Sequence, residues 1–251
     1  MLTKEANRQG SQTQKRDSLQ NHILAGLPKR EYSKISPLLK PVSLSAGQVL
    51  HDVGGRATHG YFVNCGLVST VAVMRNGDSV EVGIIGNEGF TGLPILLNIS
   101  NASSRMIVQI EGSALKVESN ALRNLVATVP MLEHKLSRFS YLQAIHMMQI
   151  AACNRLHDIE ERLARWLLMT QDRVHSDALA LTHDLLGQML GSRRASVTIA
   201  AGILQRAGII EYRRGKIHIL DRQKLEETVC ECYDVVREQL KMYLAIEPPP
   251  T

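Results

Sequence analysis

The sequence predicts an α+β chain: an N-terminal β domain, a long helix, and a C-terminal helix-turn-helix followed by a basic wing. Three observations carry this. Residues 42–118 hold short β-prone runs broken by Gly, Asn and Asp. Pro130 opens a helical periodicity that continues to Val174. Two short amphipathic helices separated by a glycine then precede a cationic hairpin between residues 182 and 220. A chain of 251 residues can bury two cores of ordinary size. The expected division is 1–18 as a tail, 19–130 as a β domain with a sensing role, 131–157 as a dimerisation helix and 158–251 as a DNA-binding domain.

Composition narrows the class. With 44% hydrophobic and 21% charged residues the chain reads as globular, neither disordered nor collagenous. It has no run of about 18 uncharged apolar residues, and its start, MLTKEANRQGSQTQKRD, lacks the apolar stretch of a signal peptide. A cytoplasmic protein with no membrane partner is expected. Four scattered cysteines (Cys65, Cys153, Cys230, Cys232) are too few for a disulfide framework and fit a reducing compartment.

Taken in order, the first 18 residues are polar, aperiodic and read as a disordered tail. LQNHILAGLP and YSKISPLLK predict short helices, the first ended near Gly26 and Pro28. In the β region, Asn76-Gly77-Asp78 stands between VSTVAVM and SVEVGII, where Asn-Gly supplies the positive φ angles of a tight hairpin. The long helix carries Leu132, Leu136, Phe139, Leu142, Ile145, Met148, Ala152, Leu156 and Ile159 at steps of mostly three or four. That stripe fits a two-chain coiled coil or a helix buried on its own β domain. Acidic residues in HDIEERLARWLL place a new helix start, and a domain boundary, near His157 and Asp158.

The segment LTHDLLGQMLGSRRASVTIAAGILQRAGIIEYRRGKIHIL decides the functional expectation. Thr182 is a good N-cap for a helix over 183–190, with Leu185, Leu186, Met189 and Leu190 on its apolar face. Gly191 makes a turn, and a second helix follows over 193–207, ended by Gly208. Helix, tight glycine turn and helix form the unit whose second helix enters a DNA major groove by its N-terminal residues. Those residues are Arg193, Arg194, Ser196 and Thr198, with Thr182 and His183 at the start of the first helix. An arginine here can bond bidentately to the O6 and N7 edge of guanine. Arg213-Arg214-Gly215 and Lys216 form a hairpin tip that reads as a wing against phosphates. From Ala178 to Arg222, seven Lys/Arg stand against three acids, so most of the net charge of +5 is concentrated here. Double-stranded DNA is the predicted partner.

This order of parts resembles the regulators related to the cyclic-AMP receptor protein and the fumarate-nitrate regulator, over about residues 19–222 and most specifically in LTHDLLGQMLGSRRASVTIAAGILQRAGII. The resemblance implies a β-roll of the cyclic-nucleotide-binding, jelly-roll type, a homodimer on a palindromic operator, a small effector acting through the long helix, and RNA polymerase as a further partner. By the same resemblance Arg194 inherits a guanine-reading role, while Ala195 and Ile199 replace an expected glutamate and arginine, so the operator read should differ. The effector pocket it implies lies near Glu88, Arg105, Met147 and Met148. Cyclic-nucleotide relatives place a Gly-Glu stretch and then Arg-Ser. Here Gly86-Asn87-Glu88-Gly89-Phe90 and Ser103-Ser104-Arg105 stand instead, with the arginine displaced by two positions. Two positions keep a strand side chain on the same face but move it by about 7 Å. Met147 and Met148 replace hydroxylated residues that meet the adenine. A cyclic nucleotide is therefore not the expected cofactor.

Other chemistry is weakly marked. Gly86-x-x-Gly89-x-x-Gly92 is not a dinucleotide fingerprint, and Pro94 with no helix pattern behind it favours a β-roll turn. The N-terminal cysteine cluster of iron–sulfur sensors is missing, and no haem motif appears. Cys230 and Cys232, in KLEETVCECYDVVREQL, read as neighbours in a continuous helix that point to different faces and do not chelate one metal. No pair of the nine histidines has metal-site spacing beside cysteines, and His146 reads as a packing residue. No metal site is expected. With no nucleophile elbow, P-loop or metalloprotease motif, the chain is not expected to be an enzyme. The alternative is a ligand-binding module whose helix-turn-helix contacts protein.

Overall fold

The computed structural model describes residues 20–99 and 101–245. The tail expected over 1–18 lies outside them. Two short helices come first, α1 (His22–Ala25) and α2 (Lys29–Ile35), followed by a 3-10 turn (Ser36–Leu38). Buried Asn21 ties them to the β domain: its Oδ1 accepts the Leu24 N–H at 3.2 Å, while its Nδ2 donates to the carbonyls of Val63 (2.8 Å) and Gly89 (2.7 Å).

The β-roll comprises β1 (Lys40–Leu44), β2 (Val49–His51), β3 (His59–Val73), β4 (Ser79–Ile85), β5 (Phe90–Thr91) and β6 (Arg105–Glu118), all paired antiparallel in the order β1-β6-β3-β4. The long pair β3 and β6 runs from His59 opposite Glu118 to Val71 opposite Arg105. Asn76-Gly77-Asp78 makes the expected β3–β4 turn, but only Gly77 takes a positive φ (+92°); Asn76 instead accepts the Asp78 N–H through its Oδ1. Leu93–Leu96 forms one helical turn, α3, after Gly92. The sequence shows no helix pattern there: a single turn is too short to leave a periodicity.

Helix α4 (Ser119–Thr128) leads to the long α5 (Pro130–Leu156) and then α6 (Ile159–Val174). His157 ends α5 in an extended conformation, and Asp158 starts α6 with a full capping box to Glu161. The second domain continues with β7 (Ala178–Ala180), α7 (His183–Met189), α8 (Arg194–Arg206), β8 (Ile210–Arg213), β9 (Lys216–Ile219), α9 (Arg222–Thr228) and α10 (Cys232–Ala245). The strands make a small sheet in the order β7-β9-β8.

The apolar stripe of α5 does two jobs. Leu132, Leu136, Phe139 and Leu142 are buried in the β-roll core with Phe62, Phe90 and Leu122, whereas Met148 and Leu156 are exposed. The run 136, 139, 142, 145, 148 advances in threes. Each step falls about 60° short of a full turn, so the stripe winds from the packed face to the free one.

The second core joins the domains. Trp166, Leu163 and Leu167 of α6 gather Leu186, Met189, Val197, Ala201 and Leu204 of the helix-turn-helix, and with them Leu67, Val71 and Ile84 of the β-roll. Polar contacts cross the same boundary, two of them from buried carboxylates of the β-roll. Trp166 Nε1 donates to Glu81 at 2.7 Å, and Arg173 pairs with Glu88 at 2.8 Å with both side chains buried.

One helix reading is corrected. Residues 222–245 are not continuous: α9 stops at Thr228, Val229 is extended (φ −77°, ψ 150°), and α10 begins at Cys232. Cys230 and Cys232 therefore do not sit on opposite faces of one helix.

Candidate nucleic-acid interface

The helix-turn-helix is assembled by local chemistry. Thr182 Oγ1 accepts the Leu185 N–H at 3.2 Å and starts α7. Gly191, at φ +57°, turns the chain, and Arg193 is the N-cap residue of α8. Gly187 permits close approach of the two helices: a Cβ there would stand 3.0 Å from the Ser192 carbonyl oxygen. Val197, Ala200, Ala201 and Leu204 hold the inner face of α8.

The outer face carries the expected residues. Arg193, Arg194 and Thr198 are exposed and Ser196 is half-buried. Arg194 pairs with Asp184 of α7 at 3.0 Å, but both groups are two-thirds exposed, so the pair is weak and the guanidinium can exchange it for an acceptor on a ligand. At the wing, Arg214 (φ +52°) and Gly215 (φ +75°) form a two-residue turn with positive φ at both positions, as a tight hairpin requires. This exposes Arg213, Arg214 and Lys216 together.

His183 and Tyr212 brace this face. The His183 ring stacks on Tyr212 of β8 with centroids 4.0 Å apart, and its Nδ1 lies 3.0 Å from Thr198 Oγ1. Tyr212 N–H in turn donates to Gln205 of α8 at 2.9 Å. Burial, reinforced by nearby Arg194, lowers the His183 pKa, so the ring is neutral at neutral pH. His183 thus links α7, α8 and the wing. Sequence reasoning missed Tyr212 and Asp184; a tyrosine directly before the wing arginines was the available signal.

The four residues expected at an effector pocket are engaged separately. Glu88 is buried, bonded to Arg173 of α6 and to the Gly86 N–H. Arg105, at the start of β6, pairs with partly exposed Asp52 at 2.8 Å. Met147 lies on the side of α5 that faces Gly83 of β4, and Met148 is 63% exposed.

A further group was not expected. Cys153, His157, Cys230 and Cys232 bring their donor atoms within 4.8 Å of one another. The expectation of no metal site rested on histidine spacing and on a continuous helix through Cys230 and Cys232; the break at Val229 removes the second ground.

Two family models match the chain: a cyclic nucleotide-binding domain over residues 41–129 and a Crp-like helix-turn-helix domain over residues 161–228. Transcriptional regulator SdrP of Thermus thermophilus is 30% identical over 197 residues, covering 74% of this chain and 92% of that protein. The chain belongs to the Crp/Fnr family of transcriptional regulators. The crystal structure of a CRP/FNR-family regulator from Thermus thermophilus matches at TM-score 0.63 and 25% identity, over 75% of this chain and 97% of that one. A Crp/Fnr-family structure from Eubacterium rectale matches at TM-score 0.65 and 18% identity, over 80% and 94%, and shares the fold. This Crp/Fnr regulator is a DNA-binding protein of transcription control, with a β-roll, long helix and winged helix-turn-helix in the order the sequence predicted. Among the described residues no helix is long and apolar enough to cross a membrane.

Proposed function

We propose that this regulator acts as a cytoplasmic homodimer on a palindromic operator, without enzymatic activity. Each subunit inserts the N-terminus of α8 into a major groove, with Arg194 reading guanine and Arg193, Ser196 and Thr198 contacting bases or phosphates. Arg213, Arg214 and Lys216 hold the flanking backbone, and Thr182 and His183 fix α7 against it. The observation that carries this reading is the His183–Tyr212 stack, which ties the helix pair that exposes Arg193 and Arg194 to the wing that exposes Arg213, Arg214 and Lys216. Two-fold symmetry sets the half-sites about 34–36 Å apart, one turn of DNA. Bound there, the regulator would be placed to touch RNA polymerase.

Dimerisation is supported by a face of α5 that the described residues leave uncovered. Tyr141, Ala144, Met148, Ala151 and Arg155 are exposed and follow steps of three and four, the spacing of a coiled-coil seam. Changing Met148 to Glu should yield a monomer by sedimentation and abolish binding to a two-half-site duplex. A variant that remains dimeric contradicts the seam.

The β-roll supports control by a small effector, but its residues do not fit a cyclic nucleotide. The Glu88 carboxylate that would meet a ribose is held by Arg173, and the Arg105 guanidinium that would meet a phosphate is held by Asp52. Because Arg173 belongs to α6, whatever displaces it from Glu88 would shift the DNA-binding domain against the β-roll.

A further inference from the structure

We infer that Cys153, His157, Cys230 and Cys232 hold one zinc ion in a closed tetrahedral site at the junction of the long helix and the DNA-binding domain. Cys153 lies in the last turn of α5, and His157 is its C-cap residue, one helical turn on. Cys230 occupies the break between α9 and α10, and Cys232 opens α10. The three cysteines are buried and are free thiols.

The spacing fits a single tetrahedral ion. Zn–S bonds of about 2.3 Å and Zn–N bonds of about 2.0–2.1 Å give tetrahedral edges of about 3.8 Å between sulfurs and about 3.6 Å between sulfur and nitrogen. Cys153 Sγ lies 3.6 Å from Cys230 Sγ, and Cys232 Sγ lies 3.5 Å from His157 Nδ1. All four donors fall within 4.8 Å, which suits one ion and leaves no space for a cluster of several irons. A disulfide would need sulfurs about 2.05 Å apart. Three thiolates and one imidazole form a closed ligand set of the structural kind, with no position left for a substrate.

The surroundings complete the site. His157 Nε2 lies 3.2 Å from the Glu231 carboxylate, which fixes that nitrogen as the donor and leaves Nδ1 with a lone pair for the metal. Gln149 Nε2 donates to Cys232 Sγ at 3.1 Å, as amides do to metal-bound thiolates. Zinc with three thiolates carries one net negative charge, and the buried guanidinium groups of Arg162 and Arg165 lie within electrostatic reach of Cys153 to offset it. The ion would staple α10 to the end of α5, where α6 departs toward the helix-turn-helix.

The test uses the full-length protein purified under reducing conditions without chelator. Elemental analysis is expected to find one zinc per chain, and Cys65, which is exposed, should alone react with an alkylating reagent until a mercurial releases the metal. The variant C230S/C232S should lose the zinc. Should it fail to fold, cobalt added to apo wild type is expected to give the visible bands of tetrahedral thiolate coordination. Folded wild type that contains no zinc and takes up neither zinc nor cobalt, or that contains a Cys153–Cys230 disulfide or iron and sulfide instead, overturns the assignment.

Discussion

Glu81 makes the stability of this protein depend on pH in a predictable direction. Its carboxyl is buried between β4 and α6, where it accepts the Trp166 indole N–H and the Ser69 hydroxyl. Burial raises its pKa from 4.5 to about 7, against the opposing pull of those hydrogen bonds and of Arg165 and Arg173. At about 1.4 kcal/mol per tenfold change in proton affinity, the difference is worth roughly 3 kcal/mol. The folded chain binds this proton more tightly than the unfolded chain does. The stabilisation is therefore complete below pH 4.5 and is lost as pH rises to about 7. Glutamine mimics the protonated acid, since its carbonyl accepts from Trp166 and its amide faces Ser69. Urea denaturation of wild type and Glu81→Gln between pH 5 and 8 isolates this group from other carboxylates. The variant should match wild type near pH 5 and exceed it by up to about 3 kcal/mol near pH 8. A constant difference across that range would mean that Glu81 does not titrate between pH 5 and 8.

Two other perturbations draw on the same geometry. Replacing Arg173 with Met leaves the Glu88 carboxyl buried without its partner and should cost about 3–5 kcal/mol in chemical denaturation, most of it regained with Glu88→Gln added. Arg214→Ala should weaken binding to all duplexes alike and reduce the slope of log affinity against log salt by about one.

Features set by neighbouring residues were legible in the sequence. The Asn76-Gly77 turn, the Thr182 cap, the Gly191 turn and the Arg213-Arg214-Gly215 hairpin each depend on backbone or side-chain chemistry within a few positions, and each forms where it was read, although Asn76 does not take the positive φ that Gly77 does. Features set by distant contacts were not. Nothing local breaks the helix at Val229, for residues 222–245 contain no Gly or Pro; the chain turns where Cys230 packs against Cys153. The pairing of Glu81 with Trp166 and of Glu88 with Arg173 spans 85 residues in each case, beyond any periodicity. In α5 the stripe was visible, but its division between the β-roll and a free seam depends on which neighbours cover each face.

The proposed function requires α8 to read sequence through Arg194 in a two-fold complex. Selection of bound duplexes from random DNA, run in parallel with wild type and Arg194→Ala, tests it most directly. Wild type should return a palindrome with a fixed guanine in each half-site, and the variant should lose that guanine preference, a cost of about 1–3 kcal/mol, while remaining dimeric. An unchanged consensus from the variant, or salt-sensitive binding without any consensus from both proteins, would mean that Arg194 does not read guanine.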